Sequence, residues 1–195
     1  MKILFYSKES VYFSKLMSAQ LVLSVQGQII SCTADNASDL FCKFGFNMGS
    51  DWTIISGCED GVSQSARINL DHECTWNFPI DIVFQSPRPY GWPQIIFNVY
   101  GYNLFGNKTV VGYGAVHIPT ASGHHSFNVP LFSRAPSPTE RFTGFFTGRM
   151  PEAIAPNFIA GGDAREIFKT ESHGYVRVTF DVVMSGLKKL DLTVE

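Results

Sequence analysis

At 195 residues with 45% hydrophobic and 14% aromatic content, the chain suits one well-packed domain, burying roughly 70% of its unfolded surface, and its composition excludes a disordered polypeptide. A formal net charge of -2, with no basic run longer than Lys188-Lys189, argues against a nucleic-acid face and against a polybasic lipid anchor. No apolar run approaches the ~20 residues that span a bilayer, so membrane contact is expected to be peripheral at most.

The N-terminus opens Met1-Lys2-Ile3-Leu4-Phe5-Tyr6 before Ser7-Lys8-Glu9-Ser10. Its apolar run is shorter than the about 7–15 residues of a signal-peptide core, so a cytosolic chain is expected. Residues 1–17 read as an N-terminal extension, non-native or poorly ordered, with Met17 as an alternative start. The domain is expected over residues 18–185, with 186–195 as a C-terminal tail.

Strand signals then recur along the chain. Leu21 to Val25 and Gln28 to Ile30 read as strand on either side of Gln26-Gly27. Leu40, Cys42, Phe44 and Phe46 alternate with Phe41, Lys43, Gly45 and Asn47. From Trp76 to Gln85 the alternation is strict, with Trp76, Phe78, Ile80, Ile82 and Phe84 in one phase, the pattern of a strand with one buried face. Pro79 cannot donate to a ladder, which predicts a sheet edge or a bulge there.

The loop 86–93, Ser-Pro-Arg-Pro-Tyr-Gly-Trp-Pro, holds three prolines and two large aromatics. Prolines fix φ, so Tyr90 and Trp92 are expected in defined positions. Ile95 to Tyr100 is apolar on both faces and reads as a central strand. Val110 to Ile118 contains Gly112 and Gly114, which predicts a bulge or a close backbone approach. Ser126 to Phe132 reads as a shorter strand, and His124-His125 as turn residues. From Tyr175 to Val182 one face turns inward. About eight strands without βα alternation predict an all-β antiparallel sandwich. A long irregular excursion is expected near 133–172. Helix is conceivable only at Pro138 to Gly148, Asp163 to Phe168 and Leu187 to Leu192.

Four ordered motifs carry a resemblance. They are Trp76-Asn77-Phe78-Pro79-Ile80-Asp81; Pro89-Tyr90-Gly91-Trp92-Pro93-Gln94; Val99-Tyr100-Gly101 with Phe105-Gly106-Asn107; and Gly112-Tyr113-Gly114-Ala115-Val116-His117-Ile118-Pro119. With Gly49-Ser50-Asp51-Trp52 before them and Gly148-Arg149, Gly161 and Arg165-Glu166 after, the chain resembles the B9 domain family from about Gln20 to about Met184. It departs from that pattern at Met150, where a second arginine is expected. The resemblance implies a C2-like sandwich and a non-enzymatic scaffold at the ciliary transition zone. It implies assembly with two sister B9-domain proteins into the Meckel–tectonic complex, through strand edges or loops, on the cytoplasmic side of the cilium base.

The residues themselves give little chemistry. No G-x-S-x-G elbow, P-loop or dinucleotide fingerprint occurs, and no spacing picks out a pair of carboxylates. His117 reads as a structural strand histidine. Calcium takes six to eight oxygen ligands, whereas loop residues 86–93 and 101–109 hold no acid. Cys32, Cys42, Cys58 and Cys74 lack a CxxC pair, so they are expected as free thiols, with His72 and Cys74 a faint zinc signal. The sequons at Asn36 and Asn107 matter only in a secreted chain. No cofactor, metal or catalytic residue is therefore assigned.

Protein binding remains, with Tyr90, Trp92 and Pro93 as the candidate contact residues, since Trp and Tyr dominate binding hot spots. The alternative for Trp92 is an inward plug of the sandwich end, and the balance favours the plug. Trp76, on the apolar phase, reads as core. Arg149 and Arg165 read as anchors of the excursion. A calcium-independent phospholipid-binding module is the alternative function.

Overall fold

The computed structural model describes residues 20–34, 39–102, 108–134 and 170–186. Ten strands follow in chain order: β1 (Leu21–Ala34), β2 (Asp39–Asn47), β3 (Thr53–Gly57), β4 (Asp60–Val62), β5 (Ala66–Arg67), β6 (Glu73–Ser86), β7 (Gln94–Tyr102), β8 (Lys108–His117), β9 (Gly123–Arg134) and β10 (Thr170–Ser185). Every pairing is antiparallel, in the order β3-β6-β1-β10-β9-β8-β7-β2-β4 with β5 on β2. Among the described residues β8 and β9 share the single pair Tyr113↔Phe132, where the ladder folds over into two layers. On the opposite side the two residues Cys58 and Glu59 carry the chain from β3 in one layer to β4 in the other. The result is the all-β sandwich that the alternation predicts.

The core follows from that alternation. Leu21, Leu23 and Val25 of β1 face Ile80, Ile82 and Phe84 of β6 and Val178, Phe180 and Val182 of β10, all buried. Burying each such side chain stabilises by roughly 1.5–3 kcal/mol. Aromatic rings lock the layers together: Phe46 meets Phe84 at 5.4 Å between ring centroids, and Phe44 meets Phe78 at 5.6 Å. Trp76 is core, its indole N–H donating to the Leu40 carbonyl at 3.1 Å. Strand β7 is buried on both faces from Gln94 to Gly101, as a central strand should be.

Several expectations need adjusting. Among the described residues eight strands have five or more residues, and the short β4 and β5 bring the number there to ten. No break occurs at Gln26-Gly27, because a Cβ on Gly27 would stand 2.0 Å from the Thr179 carbonyl oxygen; glycine is what lets β1 continue past β10. Strand β9 runs to Arg134 and begins at Gly123, so His124 and His125 are strand residues rather than a turn. His117 ends β8 exposed, not in a packed structural role.

Of the two alternatives for Pro79, the edge is the one observed, for Pro79 itself pairs with Gln28 in regular register. Strand β3 covers β6 only as far as Ile82, and the β1–β6 register slips farther along, between Phe78 and Thr75 opposite Ile29 and Ser31. Near Gly112 the register slips between Val99 and Tyr100, leaving Val111 unpaired, while a Cβ on Gly114 would come within 3.1 Å of the Pro130 oxygen. The three conceivable helices, the body of the 133–172 excursion, the extension 1–17, nearly all of the tail, Arg149, Arg165 and both sequon asparagines lie outside the described residues.

Candidate functional site: the proline and aromatic tip

The β6–β7 loop caps one end of the sandwich, and its backbone is fixed from several directions. Ser86 opens it: its hydroxyl accepts from the Arg88 N–H at 3.2 Å and donates to the Arg88 carbonyl. Gly49, in the β2–β3 turn, donates its N–H to the Gly91 carbonyl at 2.8 Å. The two backbones come so close that a Cβ on Gly91 would stand 2.5 Å from the Gly49 Cα, and Gly91 has φ +66°. Only glycine meets both demands at Gly91.

Two tryptophans bolt this loop to the core. Trp52, buried, donates its indole N–H to the Tyr90 carbonyl at 2.8 Å. Trp92, half-buried, donates its own to the Ile118 carbonyl at 2.7 Å, and the Ile118 N–H returns a bond to the Pro93 carbonyl at 3.0 Å. The rings of Trp52 and Trp92 meet edge to face at 5.2 Å, and Trp52 meets Phe84 of the core at 6.4 Å. Such pairs add about 0.5–1.5 kcal/mol beyond their burial.

The three sequence-predicted contact residues therefore part company. Trp92 turns toward the core as a plug, Pro93 is buried, and Tyr90 alone projects, its side chain 73% exposed beside exposed Pro87, Arg88 and Pro89. Arg88 lies 3.7 Å from Asp51 in an exposed ion pair. Sequence reasoning missed Gly49, Trp52 and Ile118 as partners of the loop. The Trp52–Tyr90 bond joins residues 38 apart, a separation for which local patterning has no signal. Their recurrence among the quoted motifs was the one available hint.

Among the described residues, the remaining candidates bring together no reactive group. Cys32 and Cys74 are directly opposed on β1 and β6, and both are buried. Burial pushes the Cys32 thiol up to about 12 and that of Cys74 to about 11, and holds Cys42 well above the ordinary value, so all three stay protonated near neutral pH. Cys74 donates to the Ala66 carbonyl at 3.2 Å, which leaves the His72–Cys74 zinc reading without geometric support. Among the described residues no three His, Cys, Asp or Glu side chains are placed to hold a metal ion. Also among them, no helix is long and apolar enough to cross a membrane.

The tip motif and its anchors lie inside a region that matches a known family. The model of the B9-C2 family, described as "Ciliary basal body-associated, B9 protein", matches residues 23–183. The chain belongs to the B9 family. It is 45% identical over 172 residues to B9 domain-containing protein 1 of Xenopus laevis, covering 87% of each chain. To the protein of that name from Mus musculus it is 43% identical, covering 87% of this chain and 84% of the relative. B9 domain-containing protein 2 of Homo sapiens is 30% identical over 165 residues, with 85% of this chain and 94% of that one covered. Among solved structures, a C2 domain of plant Extended Synaptotagmin 1 matches with TM-score 0.40 and 12% identity, covering 82% of this chain and 91% of that one. The family's own designation carries the C2 label expected of the sandwich.

Proposed function

We propose that this B9 chain is a non-enzymatic scaffold subunit of the Meckel–tectonic complex at the ciliary transition zone. There it supports cilium assembly and the gate that limits entry of ciliary membrane proteins, from the cytoplasmic side of the cilium base. Its partners in this reading are two sister B9-domain proteins and other subunits of that complex. The family's description as ciliary basal body-associated supports the location. Two B9 groups, represented among the relatives by domain-containing proteins 1 and 2, support the idea of sister subunits.

The observation that carries the binding role is Tyr90: a 73% exposed aromatic on a loop whose backbone is hydrogen-bonded to two tryptophan-anchored segments. A fixed aromatic of this kind binds without first losing much conformational freedom. Strand edges are the poorer candidates. A register slip between Ile54 and Ser56 leaves Ile55 outside the β3 ladder, and β4 and β5 have only three and two residues. Below the reach of β3, strand β6 presents Pro79, which lacks an N–H, and Asn77 at φ 48°. Bulges, prolines and very short strands are what block strand addition at an edge.

Affinity purification from ciliated cells tests the reading. The tagged chain should recover sister B9-domain proteins, and Tyr90→Ala should recover less while keeping its melting temperature. Recovery of no transition-zone protein overturns it. Flotation of the purified chain on phospholipid vesicles without calcium, together with such a failure, would favour the lipid-binding alternative.

A further inference from the structure

Three cysteines meet in one part of the core. Cys32 of β1 and Cys74 of β6 are direct partners in the ladder, and both are buried on its inner face. Two residues farther along β1, the Ala34 N–H donates to the His72 carbonyl at 3.1 Å. Hydrogen-bonded pairs recur at every second residue of an antiparallel ladder, so Cys32 and Cys74 occupy such a position too, with Cα atoms about 5.5 Å apart. Disulfides bridge Cα separations of about 4.4–6.8 Å. A bond between these two sulfurs therefore fits the strands where they stand. The Cys74 thiol is also near enough to push up that of Cys32, after burial, and Cys32 does the same to Cys42 on β2 in the other layer. Free in this structure, the three thiols pack as small apolar side chains.

The closed fold keeps the pair inert, and its protection is weakest at Cys74. This residue is second in β6, directly after a turn in which His72 holds the left-handed φ of 59° that disfavours a side chain. Strand β3 covers β6 only as far as Ile82, so among the described residues the ladder at Cys74 is paired on one edge alone, to β1. Its thiol donates to the Ala66 carbonyl at 3.2 Å, in a strand of two residues. A strand end held on one edge opens locally at far lower cost than the whole domain unfolds. Opening over Glu73, Cys74 and Thr75 brings the Cys74 sulfur to water, where the burial that suppresses its ionisation is gone.

We infer that Cys32 and Cys74 are a redox pair, which a small disulfide oxidant such as oxidised glutathione closes into a cross-strand bond between β1 and β6. The opened Cys74 thiol gives its proton to water, and its thiolate attacks one sulfur of the oxidant. The oxidant's S–S bond breaks and one small thiolate leaves. Cys32 then loses its proton and attacks the mixed disulfide at the Cys74 sulfur, expelling the second small thiolate. Two electrons pass from the pair to the oxidant, and the two released protons complete its two thiols. The new bond fastens the edge strand β6 to β1 and takes from the Ala66 carbonyl its sulfur donor, so β5 loosens as β6 tightens. Disulfides formed in a reducing compartment are transient and redox-sensing rather than structural. The inference rests on ladder register and strand coverage, and it stands whether or not the scaffold reading does.

The test uses the full chain, reduced and folded, incubated with millimolar oxidised glutathione. The mass should fall by two hydrogens, and proteolytic mapping should place the bond between Cys32 and Cys74. Melting temperature should rise by about 5–15 °C, the effect expected of a cross-link that closes a loop of this length in a domain of this size. Dithiothreitol should reverse both changes. Cys42→Ala should still close the bond, and Cys74→Ala should not. Should Cys74→Ala fail to fold, the mapping on the wild-type chain decides alone. Closure only at urea concentrations that unfold the domain overturns the inference, because local opening then has no part in it. A bond mapped between Cys32 and Cys42, or glutathione retained on exposed Cys58 with no internal bond, overturns it as well and leaves Cys32 and Cys74 as packing residues.

Discussion

Replacing Trp92 with alanine separates structure from recognition at the tip. A fully buried Trp→Ala change costs about 3–5 kcal/mol, and Trp92 is half-buried, so its packing contributes about 2. Its indole N–H bond to the Ile118 carbonyl, 2.7 Å long, adds about 1 kcal/mol, partly recovered because water can reach a half-buried site. Loss of the 5.2 Å edge-to-face contact with Trp52 removes a further ~0.5 kcal/mol at the low end of its range. The sum is about 3 kcal/mol, which for a domain of this size lowers the melting temperature by about 6–12 °C.

Thermal melts followed by circular dichroism measure this directly, with two companions. Trp92→Phe retains a ring against Trp52 and loses only the N–H, so it should fall roughly midway. Tyr90→Ala, which removes a 73% exposed ring, should lie within ~0.5 kcal/mol of wild type. The reasoning fails if Trp92→Ala melts within 2 °C of wild type, or if Tyr90→Ala destabilises as much as Trp92→Ala does.

Four further measurements follow from the same geometry. Gly91→Ala should cost at least about 1–2 kcal/mol from the left-handed backbone alone, with the Gly49 contact adding to it, and a denaturant midpoint equal to wild type would contradict that contact. Arg88→Ala should change stability by less than about 0.5 kcal/mol, because its ion pair with Asp51 is exposed; a larger loss in urea melts would show that the pair helps to hold the tip. Ellman's reagent should titrate one thiol in the folded protein, exposed Cys58, and all four after denaturation, whereas rapid reaction of a second would place a buried cysteine at the surface. Folded Cys32 and Cys74 keep protons that the unfolded chain releases near 9.0, so their contribution is complete below pH 9 and is lost as pH rises toward about 12; melting temperature should fall above pH 9, and less steeply in Cys32→Ala.

The sandwich was legible because its strands alternate in sequence. Trp76 to Phe84 and Val176 to Val182 announce one buried face, and the continuous apolar run at Ile95 announces a strand covered on both sides. Pro79 also announced an edge, and the Gly112–Gly114 pair an irregularity, and both occur. What stayed hidden depends on contacts distant in sequence. The continuity of β1 through Gly27 depends on how closely the Thr179 backbone approaches, which no local pattern encodes. Thr53–Gly57 has few apolar residues facing the core and a slip at Ile55, so its pattern is too weak to stand out. At the tip, the composition of residues 86–93 marked a rigid loop, but which aromatic points outward is decided by Gly49, Trp52 and Ile118.

At the tip, rigidity and exposure belong to different groups. Prolines at 87, 89 and 93 restrict the unfolded loop and the Gly49–Gly91 approach fixes the folded one, so ordering costs are met during folding rather than on binding. The hydrogen bonds that hold it use the carbonyls of Tyr90, Gly91 and Ile118 and the indole N–H groups of two tryptophans. None of them involves the Tyr90 ring. On the scaffold reading proposed above, substitution of that side chain should weaken recognition without loosening its support, while substitution of Trp52 or Trp92 should affect both.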